Sequence, residues 1–127
     1  MSQYLISVWH APGVHAAGTA YDSEDDMRRA FERVNEFNTH LQDTGAFVGA
    51  GGLTPPEEAV VVDATDAAHL EEATAAERVI EGTMSSGDML LGGFWIVEAA
   101  DEAAARALAG RASYACGQPV ELRALQG

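Results

Sequence analysis

The chain has 127 residues, which fits a single domain over residues 1–127 with enough buried surface for a core without cross-links. Seven arginines and no lysine stand against 20 acidic residues, so the formal net charge is −13. This charge argues against binding to nucleic-acid backbones or anionic membranes, and the lack of lysine excludes Schiff-base chemistry. The longest apolar run, residues 89–97, is shorter than the about 20 residues of a membrane span.

Cysteine usage and the N-terminal sequence bear on location and on bound metals. The single cysteine, Cys116, excludes an internal disulfide and has no metal-ligand spacing around it. The chain is strand-like from Gln3 and lacks a basic segment and a cleavage-site pattern, so no signal peptide is expected. A cytoplasmic location is therefore predicted, and no cofactor is expected.

The first half of the chain predicts a strand, a loop, a long helix and a second strand. Residues 3–10 alternate in the manner of a strand whose two faces are both mostly apolar. Ser23 is suited to cap the helix, which is expected to stop at Gly45. Residues 46–53 form a glycine-rich strand that a Pro-Pro pair ends. The apolar stripe of the helix, at spacings of three and four, consists of Met27, Ala30, Phe31, Val34, Phe37 and Leu41.

A segment of short elements follows, residues 59–80, which we name the excursion. Residues 59–63 are β-branched and predict a short strand. Residues 65–78 are rich in alanine and glutamate and predict a short surface helix with a thin apolar stripe. Residues 78–80 are expected to return as a strand beside residues 59–63.

The last part of the chain predicts strand, helix and strand. Residues 93–99 are strongly apolar and predict a buried strand. Asp101 is suited to cap an alanine-rich helix that is expected to end at Gly110. Residues 120–125 alternate with charged residues, so one face of this strand is expected to be wet or to meet a partner. The inward residues of the helix are predicted to be Ala104, Ala107 and Leu108.

Without the excursion, the order of elements is βαββαβ, the ferredoxin-like α+β pattern with helices on one face of an antiparallel sheet. The other face is expected to be apolar as well, carrying Val48, Leu5 or Tyr4, and Phe94 or Trp95. A sheet with two apolar faces and helices for only one of them needs a second cover. A twofold homodimer is the expected cover, and a monomer with a ligand on this face also fits.

Three segments carry a family resemblance. Residues 48–56 read VGAGGLTPP, residues 91–94 read LGGF, and residues 98–103 form an acidic helix entry. In their order and spacing these segments resemble the DGPF branch of the YCII-related family, whose members have a VGGxGLxPP strand and a Leu-Gly-Gly-Phe strand entrance. The resemblance covers nearly the whole chain and implies a small, bacterial, cytoplasmic protein that forms a dimeric ferredoxin-like α/β barrel.

The chain departs from this family at the positions that matter for chemistry. Residues 81–84 read EGTM where the branch has DGPF, so only the glycine is kept and Glu81 takes the place of the acid. The resemblance implies a His–Asp pair with the histidine near the start of the first helix. His15 lies upstream of that place and His40 lies late in the helix. A catalytic dyad is therefore not transferred to this chain.

Four residues are candidates for acid–base chemistry. Glu81 is either a general base, or a carboxylate that orients a histidine, or an ordinary turn residue. His10 ends the first strand and His15 follows in the loop, and either imidazole is a candidate acid or base. Asp88 either shares the site with Glu81 or belongs to a loop. Their spacing matches no metal motif, so no metal is expected.

Aromatic side chains on or beside the strands predict an apolar ligand pocket. Trp9, Phe94 and Trp95 are the candidate walls of this pocket. Tyr21 would add a hydroxyl contact from the loop, and Met84 an apolar contact from the turn. The predicted ligand is a small apolar or aromatic molecule.

Three functions stay open at this point. The first is a homodimeric module that binds a small molecule without strong catalysis. The second is a lyase- or dehydrochlorinase-like enzyme that transfers a proton through Glu81 with His10 or His15, as the resemblance implies for some relatives. The third is a regulatory interaction protein, because DGPF relatives tend to accompany alternative sigma factors.

Overall fold

The computed structural model describes residues 1–12, 23–84 and 87–127. Within them the strands are β1 Ser2–His10, β2 Phe47–Gly52, β3 Val60–Val62, β4 Val79–Glu81, β5 Leu90–Ala99 and β6 Val120–Ala124. The helices are α1 Glu24–Asp43, α2 Leu70–Ala73 and α3 Glu102–Cys116, with two 3-10 turns at Pro56–Glu58 and Ala76–Arg78.

Four strands form the main sheet in the order β2-β5-β1-β6, and each neighbouring pair is antiparallel. β3 and β4 form a separate antiparallel pair, with Val61 opposite Ile80. The main sheet is open, and its order with the two long helices is consistent with a ferredoxin-like fold. The prediction of an α+β domain with an antiparallel sheet is confirmed at this level.

The core lies between the main sheet and the two long helices. Ile6 of β1, Val97 of β5 and Leu41 of α1 are fully buried. The rings of Phe37 and Trp95 meet edge to face, with centroids 5.3 Å apart. Because side chains alternate along a strand, the residues between these core positions point to the opposite face of the sheet.

Helix α1 begins and ends as the sequence predicts. The Ser23 side chain accepts a hydrogen bond from the Asp26 backbone N–H at 3.1 Å. This bond pairs one of the backbone N–H groups of the first turn that have no partner within the helix. Two residues beyond the helix end, Gly45 has a φ of +75°. The predicted stripe is wrong at Phe31, whose side chain is 62% exposed. Phe31 directly follows the buried Ala30, so it lies one step round the helix from the core.

Helix α3 is longer than the sequence predicts. It passes Gly110, where it was expected to end, and runs to Cys116 before Gly117 caps it in the left-handed region at φ +71°. A glycine in a helix interior costs only about 1 kcal/mol, and burial of the helix beyond it outweighs this cost. The predicted inward residues Ala104 and Ala107 are exposed. The buried stripe lies one residue further along, at Ala105, Ala109, Ala112 and Ala115.

The predicted helix over residues 65–78 is mostly wrong. Only Leu70–Ala73 is α-helical, and Ala76–Arg78 is a 3-10 turn. Leu70 is 79% exposed, so the segment has little apolar surface to bury. Its conformation is instead held by the Arg78 guanidinium, which pairs with Asp66 and, at 2.7 Å, with Glu72. The predicted return strand is confirmed at Val79–Glu81.

The cap of α3 gives a direct test of this helix assignment. The Asp101 carboxylate accepts a hydrogen bond from the Ala104 N–H at 2.8 Å. Asp101→Ala is expected to lower the free energy of unfolding by about 1 kcal/mol, measured by urea denaturation. Asp101→Asn serves as the control, because asparagine caps helices about equally well. Equal losses in both variants would contradict the capping role.

Candidate functional site

Within residues 1–12, 23–84 and 87–127, one side of the main sheet is left uncovered by the helices, and we name it the open face. It carries the alternate residues of the four strands that point away from the core. In β1 and β5, Leu5, Trp9, Phe94, Ile96 and Glu98 are half-buried, Ser7 is buried, and Gln3 and Leu91 are exposed. The open face consists of Gln3, Leu5, Ser7, Trp9, Gly49, Gly51, Leu91, Phe94, Ile96, Glu98, Glu121 and Arg123.

The strand register decides which neighbouring aromatic residue faces outward. Trp95 is 6% exposed and packs in the core, where its indole N–H donates to Asn38 Oδ1 at 2.7 Å. Phe94, the preceding residue, lies on the open face as the register partner of Ser7. The structure therefore brings Trp9 and Phe94 to one face and places Trp95, also predicted to line the pocket, on the other.

Trp9 is held in one orientation on the open face. Its indole N–H donates to the Ser7 hydroxyl at 3.0 Å. Ser7 is 5% exposed, and its hydroxyl donates in turn to the backbone carbonyl of Glu121 at 3.4 Å. The single hydroxyl proton is thereby directed to β6, which leaves an oxygen lone pair for the indole. This chain of hydrogen bonds fixes an indole whose ring stays partly accessible.

The Phe94 ring lies close to the backbone of Gly51 on the neighbouring strand. A Cβ placed on Gly51 would lie 3.1 Å from Cε1 of Phe94, tighter than an ordinary contact. The same atom placed on Gly49 would meet nothing within 4 Å. The Phe94 ring therefore rests over the Gly51 backbone, as expected where a strand glycine admits a close neighbour.

A pair of alanine variants tests this contact. Gly51→Ala is expected to displace the Phe94 ring and to destabilise the protein by about 1 kcal/mol, at the low end of overpacking. Gly49→Ala is expected to change the free energy of unfolding by less than about 0.5 kcal/mol, because it adds its methyl group in open space. Urea denaturation of both variants measures the difference, and a larger loss in Gly49→Ala would contradict the placement of Phe94.

His10 ends β1 and is only 4% exposed. Its Nδ1 lies 2.9 Å from the carbonyl oxygen of Ala11. A carbonyl only accepts, so Nδ1 carries the proton, and Nε2 carries the lone pair of the neutral ring. Val8 pairs with Gly93 and Trp9 with Leu91, so Gly92 is the extra residue of a β-bulge. A Cβ on Gly92 would lie 2.6 Å from Cδ2 of His10, so the ring occupies that space.

The carboxylate candidates are exposed and lie in different parts of the fold. Glu81 ends β4 in the two-stranded sheet, whereas His10 belongs to the main sheet. Asp88 lies two residues before Leu90, the register partner of His10. Within the described part of the chain, neither carboxylate makes a hydrogen bond or an ion pair. The structure therefore places Asp88 at the same end of the main sheet as His10. In the described residues, the Glu81 side chain makes no hydrogen bond to either of them.

The remaining predicted ligand contacts are either exposed or outside the described residues. Met84, in the turn after β4, is 83% exposed. His15 and Tyr21 lie outside residues 1–12, 23–84 and 87–127, so their predicted roles stay predictions.

Local surroundings shift the pKa values of Cys116 and Asp63. Burial raises the pKa of the Cys116 thiol, which disfavours its thiolate form. Hydrogen bonds from Thr65 to Asp63 lower the pKa of that carboxyl and belong to a local turn. Among the described residues, no three histidine, cysteine, aspartate or glutamate side chains converge as a metal site.

Comparison with known protein families decides the wider relationship. The YCII-related domain family matches residues 14–124, from the segment after β1 to the end of β6. The chain belongs to the YCII-related domain family. A search of curated proteins finds no match. In the described residues of this YCII-related protein, no helix is long and apolar enough to cross a membrane.

Three residues of the YCII-related protein that shape the open face or the surroundings of His10 were not predicted as site residues from the sequence. Ser7 orients Trp9, Glu121 lies opposite Ser7 on β6, and Gly92 makes room for His10. The alternation of β6 with charged residues was the available signal for Glu121. A serine within an apolar strand was the available signal for Ser7.

Proposed function

We propose that this YCII-related protein is a homodimeric module of the DGPF branch that binds a small aromatic or apolar molecule. The binding site is the Trp9 end of the open face. The observation that carries the proposal is the pair of aromatic side chains, Trp9 and Phe94, which neighbouring groups hold in place on a face without helices.

Fixed aromatic rings favour a small planar ligand. Small-molecule sites are lined mostly by apolar and aromatic side chains with a few polar groups that set orientation. Trp9 and Phe94 are half-buried, so each retains ring surface that a ligand can cover. Because the Trp9 ring is already oriented by its hydrogen bond to Ser7, ligand binding at this ring costs little further side-chain entropy.

The other end of the open face supports a second copy as its cover. Leu5 and Ile96 are direct register partners there, and both are half-buried without a helix over them. Arg123 lies beside Leu5, and the carboxylate of Glu98 lies one step along from Ile96. A patch that carries both signs of charge is complementary to itself, as a twofold contact requires. Arg123 of one copy would face the partner subunit's Glu98.

The assignment to the DGPF branch is supported by two segments in order. The strand that contains VGAGGLTPP forms β2 and its exit, and the LGGF segment lies within β5 next to it. Residues 81–84 form a turn with Gly82 at φ +116°, so the glycine kept from the DGPF tetrapeptide has a conformational role.

Nuclear magnetic resonance of the indole N–H groups tests ligand binding directly. The two tryptophans give two such signals, and the Trp9→Leu variant assigns them. Neutral aromatic probes such as phenylmethanesulfonamide are expected to shift the Trp9 signal and to leave the Trp95 signal in place, since Trp95 is bonded to Asn38 in the core. Equal shifts of both signals, or no shift of the Trp9 signal with any aromatic probe, would contradict the binding proposal.

A proton-transfer enzyme is the second candidate, and the tautomer of His10 favours it. With Nδ1 bonded to the Ala11 carbonyl, the lone pair of His10 lies on Nε2, which is the arrangement of a general base. Glu81, paired with His10 or His15, would supply the carboxylate. Glu81→Gln and His10→Gln should each abolish dehydrohalogenation of a haloalkane, in which the base takes a proton from the carbon next to the one that releases halide, whereas Glu71→Gln, on α2, should not. Unchanged turnover in Glu81→Gln would remove this mechanism.

A further inference from the structure

The surface around Trp9 carries an acidic residue, Glu121. Glu121 on β6 is the register partner of Ser7, and Phe94 on β5 is the partner of Ser7 on the other side. Trp9 is the next residue on the same face of β1, so it lies diagonally from both Glu121 and Phe94. One acidic residue and two aromatic residues therefore flank the buried Ser7 on the open face.

Within the described part of the chain, no arginine forms an ion pair with this carboxylate. Arg123 is the nearest arginine along β6, on the same face, and it forms no ion pair with Glu121. Arg28, Arg29, Arg78 and Arg106 are paired with carboxylates elsewhere. Arg111 belongs to α3, and Arg33 lies over the ring of Tyr114 between the long helices, 5.4 Å from its centroid.

The net charge of the whole chain also favours a cationic ligand over an anionic one. A net charge of −13 raises the local concentration of cations and lowers that of anions around the protein. The faces of indole and phenyl rings attract cations through their quadrupoles, and indole attracts them best. Each of these terms opposes a carboxylate or phosphate ligand.

We propose that the site at Trp9, Phe94 and Glu121 selects an organic cation, an aromatic or alkyl ammonium compound. The inference rests on the proposed small-molecule function and names the class of ligand. The ammonium group lies over the indole of Trp9 and next to the Glu121 carboxylate, and the apolar part of the ligand covers Phe94.

Three probes of similar shape and different charge test the selection. They are benzyltrimethylammonium, the neutral phenylmethanesulfonamide and the anionic phenylmethanesulfonate. Each is titrated into the full chain at low salt while the Trp9 and Trp95 indole N–H signals are followed. The cation is expected to bind most tightly and the anion most weakly, and the gap is expected to shrink as sodium chloride is added.

Two variants assign the selection to particular groups. Glu121→Gln is expected to weaken the cation by about two- to fivefold, the range of an exposed ion pair, and to leave the neutral probe unchanged. Trp9→Leu, followed by calorimetry, is expected to weaken the cation by about two- to fivefold or more. Glu36→Gln, on the outer side of α1, is the matched control and is expected to change neither affinity.

The outcomes separate this inference from the function on which it rests. If the neutral probe binds at Trp9 as tightly as the cation, or the anion binds best, the cation inference is wrong and the binding function stands. If no probe of any charge shifts the Trp9 signal, both are wrong. A cation preference that persists unchanged in Glu121→Gln would also overturn the role of this carboxylate.

Discussion

Replacing Gly92 with alanine is expected to lower the free energy of unfolding by about 1–3 kcal/mol, the usual cost of forcing an extra group into a packed site. The new Cβ would lie 2.6 Å from Cδ2 and 3.2 Å from Nε2 of His10. The ring is 4% exposed and bonded to Ala11, so it has little room to move away. Urea denaturation at one fixed protein concentration measures the loss.

A control and a double variant separate this clash from a general loss of strand flexibility. Gly52→Ala places the same methyl group where nothing lies within 4 Å, so it is expected to be nearly neutral. If the His10 ring causes the loss, Gly92→Ala is expected to cost little when it is added to His10→Ala. Full additivity of the two changes would contradict the contact.

Leu41→Ala is expected to destabilise the protein by about 2–5 kcal/mol, a larger loss than that of Gly92→Ala. Leu41 is fully buried in the last turns of α1, where it belongs to the core between α1, α3 and the main sheet. Removing its side chain loses the transfer free energy and leaves a cavity that rigid neighbours cannot fill. Chemical denaturation with an unchanged m-value would identify a stability effect.

The same substitution at an exposed position is its matched control. Leu70 on α2 is 79% exposed, so Leu70→Ala is expected to stay within about 0.5 kcal/mol of the parent protein. Similar losses at both positions would contradict the placement of the core beneath α1.

Local chemistry made several elements of the fold predictable. Ser23 and Asp101 cap their helices through side-chain oxygens, and the pattern of residues 3–10 fixes β1. The end of α3 was not predictable from Gly110, because packing of the later turns against the sheet outweighs a weak glycine preference. Residues 65–78 were misassigned because ion pairs of Arg78 with residues several positions away hold them.

The site was only partly predictable, since its geometry depends on register. Both faces of the sheet are apolar, so the alternation of residues 93–99 does not show whether Phe94 or Trp95 faces the helices. The contact of His10 with Gly92 depends on a one-residue bulge between two strands, which leaves no signature in either strand alone. The aromatic composition of the pocket was predictable, and the side of the sheet was not.

The functional proposal depends on the apolar residues of the open face, which the long helices leave uncovered. In the described residues, the long helices cover Tyr4, Trp95 and Val97, and the open face carries Leu5, Phe94 and Ile96. Apolar patches of this kind mark binding surfaces in soluble proteins. In the proposed function, a second copy covers one end of that face and a ligand covers the other.

Sedimentation velocity of the parent protein and of Ile96→Arg tests the proposed cover of the open face most directly. The parent is expected to sediment at twice the 13.4 kDa mass of one chain, and Ile96→Arg, which places a charge in the proposed dimer contact, is expected to sediment as a folded monomer. Phe31→Arg, on the outer side of α1, is the control and is expected to remain dimeric. A parent protein that sediments as a monomer at all concentrations, or an Ile96→Arg variant that remains dimeric, would contradict a dimer formed through this face.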